Sequence, residues 1–283
     1  MARKTTYRKT ASRKTGRSFF SKILRFISFS VFAILFVAVI YHYRRGLAYY
    51  LGFKSNKMSE KEIEDKRLSD IRNFQVLVKH EGKSIGLDVS EYQGKISWSY
   101  VDTLEQKYPL DFVFIRATVG KDRKDFQFKR NWIGAKKNKM IRGAYHYYRP
   151  NENSIEQANL FIETVKLEKG DLPPVLDIEK LPKSQSLDSL KKGLKRWLLK
   201  VENHYKVRPI IYTGERYYSD FLKDEFDGYL FWIANYNFYR EKIEDDWLFW
   251  QFTEKASVPG IDRTVDINIY NGDLQQLQFI TVD

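Results

Sequence analysis

Apolar positions fall into three regimes along this chain. From Phe26 to Tyr43 they form an uncharged, mostly apolar run. As a helix rising about 1.5 Å per residue, that run spans roughly 27 Å, close to the hydrocarbon thickness of a bilayer. A transmembrane helix is therefore expected over 26–43. From Met58 to Arg72 the chain is rich in mixed charge, with Glu and Lys spaced for helical pairs. A solvated helical stalk is expected there, within a linker over 44–83. From Ser84 onward short apolar or β-branched runs recur, and 84–283 is expected to fold as one domain.

Eight of these runs are strand candidates: Ile85–Val89, Phe112–Thr118, Ile141–Tyr147, Val175–Ile178, Pro209–Thr213, Tyr229–Ala234, Trp247–Phe252 and Val265–Ile269. Helical stretches separate the early ones. Ser154-Ile-Glu-Gln157 has the form of a capping box, opening a helix with Ile155, Ala158, Ile162 and Val165 on one face. A second helix carries Leu187, Leu190, Leu194, Trp197, Leu198, Val201 and Tyr205. Strands alternating with helices imply a parallel sheet, and eight of them imply a closed (β/α) barrel. The connections between the last four strands are too short for full helices. The expected fold class is α/β: an irregular (β/α) barrel with incomplete helices in its second half, preceded by one transmembrane helix. No internal repeat marks a solenoid.

Charge separates the regimes further. The formal net charge is +13, yet 13 Lys and Arg and no acid precede Glu60, leaving 36 of each sign in the rest. A nucleic-acid-binding domain carries its basic patch on the folded body, so nucleic acid is not an expected partner. The excess flanks the apolar run instead. Nine basic residues lie in 1–25, and only Arg44 and Arg45 follow the run closely. This asymmetry predicts a cytoplasmic tail over 1–25 and a body that is periplasmic or extracellular. With no small-x-small cleavage site after the run, an uncleaved anchor in membrane lipid is expected rather than a signal peptide. The absence of cysteine excludes disulfides, thiol catalysis and Cys-ligated metal. The four histidines show no metal-binding spacing. Neither a metal nor a cofactor is expected.

Acids within apolar strands carry the candidate chemistry. Asp177-Ile-Glu179 ends the fourth strand candidate, and residues i and i+2 of a strand point to one side. Crowding raises the pKa of one of two such carboxyls, which suits an acid that protonates a leaving oxygen beside a carboxylate that stabilises positive charge. Asp88 ends the first strand candidate and Asp266 lies in the eighth, and these two strands are neighbours in a closed barrel. Side chains at the C-terminal ends of barrel strands line the active site. An acid inside an apolar strand is costly to bury without a partner or a task.

These residues sit in a longer pattern. Gly86-Leu-Asp-Val-Ser-Glu-Tyr-Gln-Gly94, Phe112-Val-Phe-Ile-Arg-Ala-Thr-Val-Gly120, Arg142-Gly-Ala-Tyr-His-Tyr147, Pro174-Val-Leu-Asp-Ile-Glu179, Pro209-Ile-Ile-Tyr-Thr-Gly214, Phe231-Trp-Ile-Ala-Asn-Tyr236, Trp250-Gln-Phe-Thr253 and Pro259-Gly-Ile-Asp262 occur in that order, followed by Asp266 and Asn268. In this respect the chain resembles glycoside hydrolase family 25, the lysozymes or N-acetylmuramidases, over about 84–283. The resemblance implies a peptidoglycan hydrolase that cleaves the β-1,4 bond from N-acetylmuramic acid to N-acetylglucosamine. It implies Glu179 as general acid/base and Asp177 as the carboxylate that assists the substrate's 2-acetamido group or stabilises the charged intermediate. It makes Asp88 and Asp266 flanking acids, and it places Tyr145, Tyr212, Trp232 and Tyr236 in the substrate cleft. His146 is expected as a hydrogen-bonded wall residue, since no Ser or Cys motif accompanies it. The chain departs from the family at Val119, where Glu is usual, at Tyr92, where Trp is usual, and at Arg263, where Gly is common. The alternatives are a chitinase-like barrel glycosidase and a non-catalytic, membrane-anchored glycan-binding protein.

Overall fold

The structure is a computed structural model that describes the backbone of residues 17–50 and 60–283, and the side chains of 23–39 and 63–283. By contacts the chain divides into a unit ending at Glu62 and a unit running from Ile63 to Asp283. In the first, helix α1 (Arg17–Tyr50) is continuous, and large apolar side chains such as Phe26, Phe29, Phe32 and Leu35 are exposed. Among the described residues no helix is long and apolar enough to cross a membrane. The expected span over 26–43 runs past the described side chains, and most of the expected tail over 1–25 lies outside the described residues.

In the second unit, eight strands close into a barrel. They are β1 (Ile85–Val89), β2 (Phe112–Val119), β3 (Ile141–Tyr147), β4 (Val175–Asp177), β5 (Ile210–Gly214), β6 (Leu230–Ala234), β7 (Phe249–Ala256) and β8 (Val265–Tyr270). Strands β1 to β7 pair in parallel, each with its neighbour up to the break between β1 and β7. β8 fills that break and is antiparallel to both. The sequence pattern implies an all-parallel barrel, and this strand departs from it. Only residues 257–264 separate β7 from β8, whereas a parallel return needs a crossover of about a dozen residues or more. The reversal brings the N-terminal end of β8 to the rim where the other strands end.

Helices α3 (Phe128–Lys137), α4 (Ser154–Thr164) and α5 (Leu187–Tyr205) follow β2, β3 and β4. After β5 only the short helical pieces Glu215–Tyr217, Tyr218–Leu222 and Leu274–Phe279 form, so among the described residues the second half of the barrel lacks full helices, as expected. The buried face of α5 is Leu190, Leu194, Trp197, Leu198 and Val201. In α4 the cap is Asn153, whose side chain accepts from the amides of Ile155 and Glu156, in place of the expected Ser154 box. The reason lies with Gln157, which is fully buried and spends its amide on Arg149, Glu152 and His146. The face of α4 shifts accordingly: Ala158, Phe161 and Val165 are buried, while Ile155 is exposed.

Two apolar layers hold the barrel. The outer one packs helices on strands, for example Val113, Ile115 and Ala117 of β2 with Phe161, Trp197 and Leu198. The inner one plugs the barrel with Phe112, Phe114, Tyr212, Trp232 and Phe249. Phe114 stacks on Trp232 with centroids 4.5 Å apart and meets Phe249 edge-on at 5.2 Å. Any Cβ at Gly86 would collide with the Phe112 ring, so glycine there makes room for the plug. The plug fills the barrel interior beneath the acids.

Helix α2 (Glu60–Lys79) precedes the barrel. The helix was expected, but its second half is not solvated: Arg72, Asn73, Val76 and Leu77 are buried against the barrel. His80, just past its end, meets the Trp250 ring edge-on at 5.7 Å.

Candidate active site

At the C-terminal rim of β1–β7 lies a cleft of about 460 Å³. It brings together Asp88, Asp177, Glu179 and Asp266, with Tyr145, Tyr212 and Trp232 in its walls and floor. Each side chain arrives by strand geometry. Asp88 and Asp266 are register partners across β1 and β8. Asp177 is the last residue of β4 and Glu179 lies two residues beyond it, so both face the cleft. Tyr236, also expected in the cleft, stands at its margin and reaches it through a hydroxyl that donates to Gln251 Oε1.

One amide organises half of the floor. Gln251 Nε2 donates to Asp88 Oδ2 at 2.7 Å and to Asp266 Oδ2 at 3.3 Å, while its Oε1 accepts from the Tyr212 hydroxyl at 2.6 Å. Asn268 Nδ2 donates to Asp88 at 2.9 Å, and its Oδ1 accepts from the Trp232 indole at 2.8 Å. Burial pushes both Asp88 and Asp266 up; for Asp88 the two amide donors oppose it, and for Asp266 the Asp88 charge adds to it. Both carboxyls therefore hold a proton to higher pH than a free carboxylate does.

The other pair differs in exposure. Asp177 is buried, and its Oδ1 has no hydrogen-bond partner. Burial raises its pKa well above the carboxylate range, the charges of Glu179 and Asp88 raise it further, and Arg116 and Lys180 oppose them. Glu179 is exposed at the rim, but the cleft walls still strip enough solvent to raise its pKa, against the pull of Lys180. Charge crowding acts on both, since Glu179 and Asp88 raise Asp177 and Asp88 raises Glu179.

Arg116 supplies the positive charge beneath the cleft. It lies in β2, buried, with Nε 3.0 Å from Asp125 and Nη2 3.0 Å from Glu91, and its guanidinium lies 4.7 Å from the Tyr92 ring centroid. A register shift between Arg116 and Thr118 resets the alternation of β2. Arg116 and Val119 consequently line the cleft, while Thr118 faces outward and meets His146. His146 is a wall residue behind the cleft: Thr118 Oγ1 donates to Nδ1 at 2.7 Å, and Nε2 donates to Gln157 at 3.1 Å. Burial lowers its pKa to about 3, so it stays neutral. Among the described residues no group of three or more His, Asp or Glu side chains is disposed to hold a metal ion.

This geometry agrees with the outcome of sequence and structure comparison. The profile of "Glycosyl hydrolases family 25" matches residues 87–261. The chain belongs to glycoside hydrolase family 25. Among its relatives, Lysozyme M1 of Streptomyces globisporus is 31% identical, over 68% of this chain and 69% of that protein. The uncharacterized protein YegX of Escherichia coli K12 is 37% identical, over 74% of this chain and 77% of its own length. In structure, a family 25 glycosyl hydrolase from Bacillus anthracis superposes with TM-score 0.64 at 28% identity, covering 71% of this chain and 95% of that one. The protein is a glycoside hydrolase.

Three residues that order the cleft were not singled out from the sequence: Gln251, Asn268 and Arg116. A signal existed for each. Asn268 follows Asp266 by two residues on one strand, so it shares its face. Arg116 is a lone charge in an apolar strand, the same anomaly that marks Asp88. Gln251 is the polar residue between Trp250 and Phe252. Two of the departures from the family pattern also touch, since Arg263 Nη1 donates to the Tyr92 carbonyl at 2.9 Å.

Proposed function

We propose that this family 25 enzyme hydrolyses peptidoglycan at the β-1,4 bond from N-acetylmuramic acid to N-acetylglucosamine, working from a membrane anchor at 26–43. The convergence of four carboxyls in one aromatic-walled cleft carries the reading. A second hollow of about 680 Å³, lined by Leu181, Lys183, Arg216 and Tyr217, shares Glu179 and Lys180 with the cleft. Glu179 thus stands between two concavities, a position suited to the middle of a polymer chain.

In this reading Glu179 is the general acid. It is the member of its pair that solvent and a glycosidic oxygen can reach, and its raised pKa keeps the proton it must give. Asp177 assists the 2-acetamido group. Its buried, unpartnered Oδ1 is an acceptor lacking a donor, and a substrate amide N–H would satisfy it. Asp88 and Asp266, fixed by Gln251 and Asn268, orient the sugar and keep negative charge near the forming cation. A water then attacks the sugar carbon, with Glu179 accepting its proton.

The asymmetric basic flank supports a cytoplasmic tail and an exported body. Peptidoglycan would then be within reach of the tethered domain. Digestion of purified peptidoglycan beside chitin, with mass spectrometry of the released ends, tests the reading: reducing N-acetylmuramic acid ends should appear from peptidoglycan. Turnover of chitin alone would establish the chitinase alternative, and binding without release would establish the non-catalytic one.

A further inference from the structure

β6 and β7 run together as far as the pair Ala234 and Gln251, then part. The departing end of β6 leads into the loop that carries Tyr236. On β7, Gln251 pairs with Asn268 of β8 and Thr253 pairs with Ile267, so Phe252 is an unmatched, bulged residue. Such a bulge re-aims the side chains beside it and leaves backbone groups outside the ladder. The bulge therefore sets the aim of Gln251, the amide that bonds Asp88, Asp266, Tyr212 and Tyr236.

One side chain from outside the family-matched segment closes this gap. Arg72 of α2 donates from Nε at 3.2 Å and from Nη2 at 3.0 Å to the Asn237 carbonyl, and from Nη1 to the Phe252 carbonyl. It is buried, with its guanidinium 5.8 Å from the Trp250 ring centroid. The guanidinium is a planar fork with several fixed donors, so it can hold two diverging carbonyls at a set spacing. A lysine ammonium has one centre and lacks that geometry.

We propose that Arg72 is a positioning residue for the catalytic cleft: it fixes the spacing of the two segments bearing Tyr236 and Gln251, and through Gln251 the placement of Asp88 and Asp266. The helix expected as a passive stalk is thereby part of the enzyme. The inference rests on the reading of the cleft as a hydrolase site.

The test uses the full chain, with initial rates on purified peptidoglycan and thermal unfolding of every variant. Arg72→Lys should lower kcat at least about tenfold with KM little changed, since small misplacements of site groups are costly. Leu77→Ala, buried on the same helix with an apolar side chain that can bond neither carbonyl, should lose stability and keep kcat. Because Arg72 acts through Gln251, adding Arg72→Lys to Gln251→Leu should slow the enzyme no further. Arg72→Gln, whose amide spans only one carbonyl, serves in place of the lysine variant if that one does not fold. An unchanged kcat in Arg72→Lys, an equal loss in Leu77→Ala, or additive losses in the double variant would each overturn the assignment. An inactive wild-type enzyme would instead overturn the hydrolase reading itself.

Discussion

Asp88 and Asp266 stand opposite one another as register partners of an antiparallel strand pair inside a barrel that is otherwise parallel. Both have pKa values raised chiefly by burial. A carboxyl whose folded pKa exceeds its unfolded value binds its proton more tightly in the folded protein. Stability is then lost as pH rises from about 4, the unfolded carboxylate range, through the folded pKa. Asp266→Asn removes that penalty and keeps an acceptor for Gln251. Its unfolding temperature should exceed that of the wild type at pH 8, and the gap should close below about pH 4. Equal unfolding temperatures at both pH values would count against a raised pKa at Asp266.

Gln251 should matter more than its lack of charge suggests. Gln251→Leu takes a donor from Asp88 and an acceptor from Tyr212 and Tyr236. Leaving such buried groups unpaired costs about 1–3 kcal/mol. Since its amide holds Asp88 down, the Asp88 pKa should rise in the variant. Carboxyl chemical shifts followed against pH would show this, and an unshifted Asp88 titration would contradict the assigned hydrogen bond.

The anchor has its own test. A periplasmic reporter fused after Asp283 should be active, and a cytoplasmic reporter at the same place should be silent. The opposite pattern would remove both the proposed topology and access to the wall.

The four acids were legible because charge is conspicuous in apolar strands, and the (β/α) order because apolar runs alternated with helical periods. The reversal of β8 was not, since an apolar run carries no direction. Docking of α2 escaped for a related reason: its buried face includes Arg72 and Asn73, and Arg72 reads as solvated until the carbonyls it bonds are known. The Asn153 cap was hidden because Gln157, a partner in the expected box, is claimed by the loop backbone of Arg149 and Glu152.

Leaving-group chemistry should separate the roles of Asp177 and Glu179. An activated aryl glycoside departs without a proton, so Glu179→Gln should recover much of its rate on one. Asp177→Asn should not, because support of charge at the sugar carbon and acetamido group is needed for every substrate. Recovery by Asp177→Asn alone would mean that the roles are reversed.

The most direct measurement is the rate at which Glu179→Gln, shown to be folded, releases reducing ends from purified peptidoglycan beside the wild type. The substitution keeps the shape and removes the proton donor, and loss of a well-placed general acid costs at least about 10²-fold. The expected result is cleavage slowed by that factor or more, with glycan binding retained. Cleavage at the wild-type rate would contradict the assignment and put the catalytic acid elsewhere.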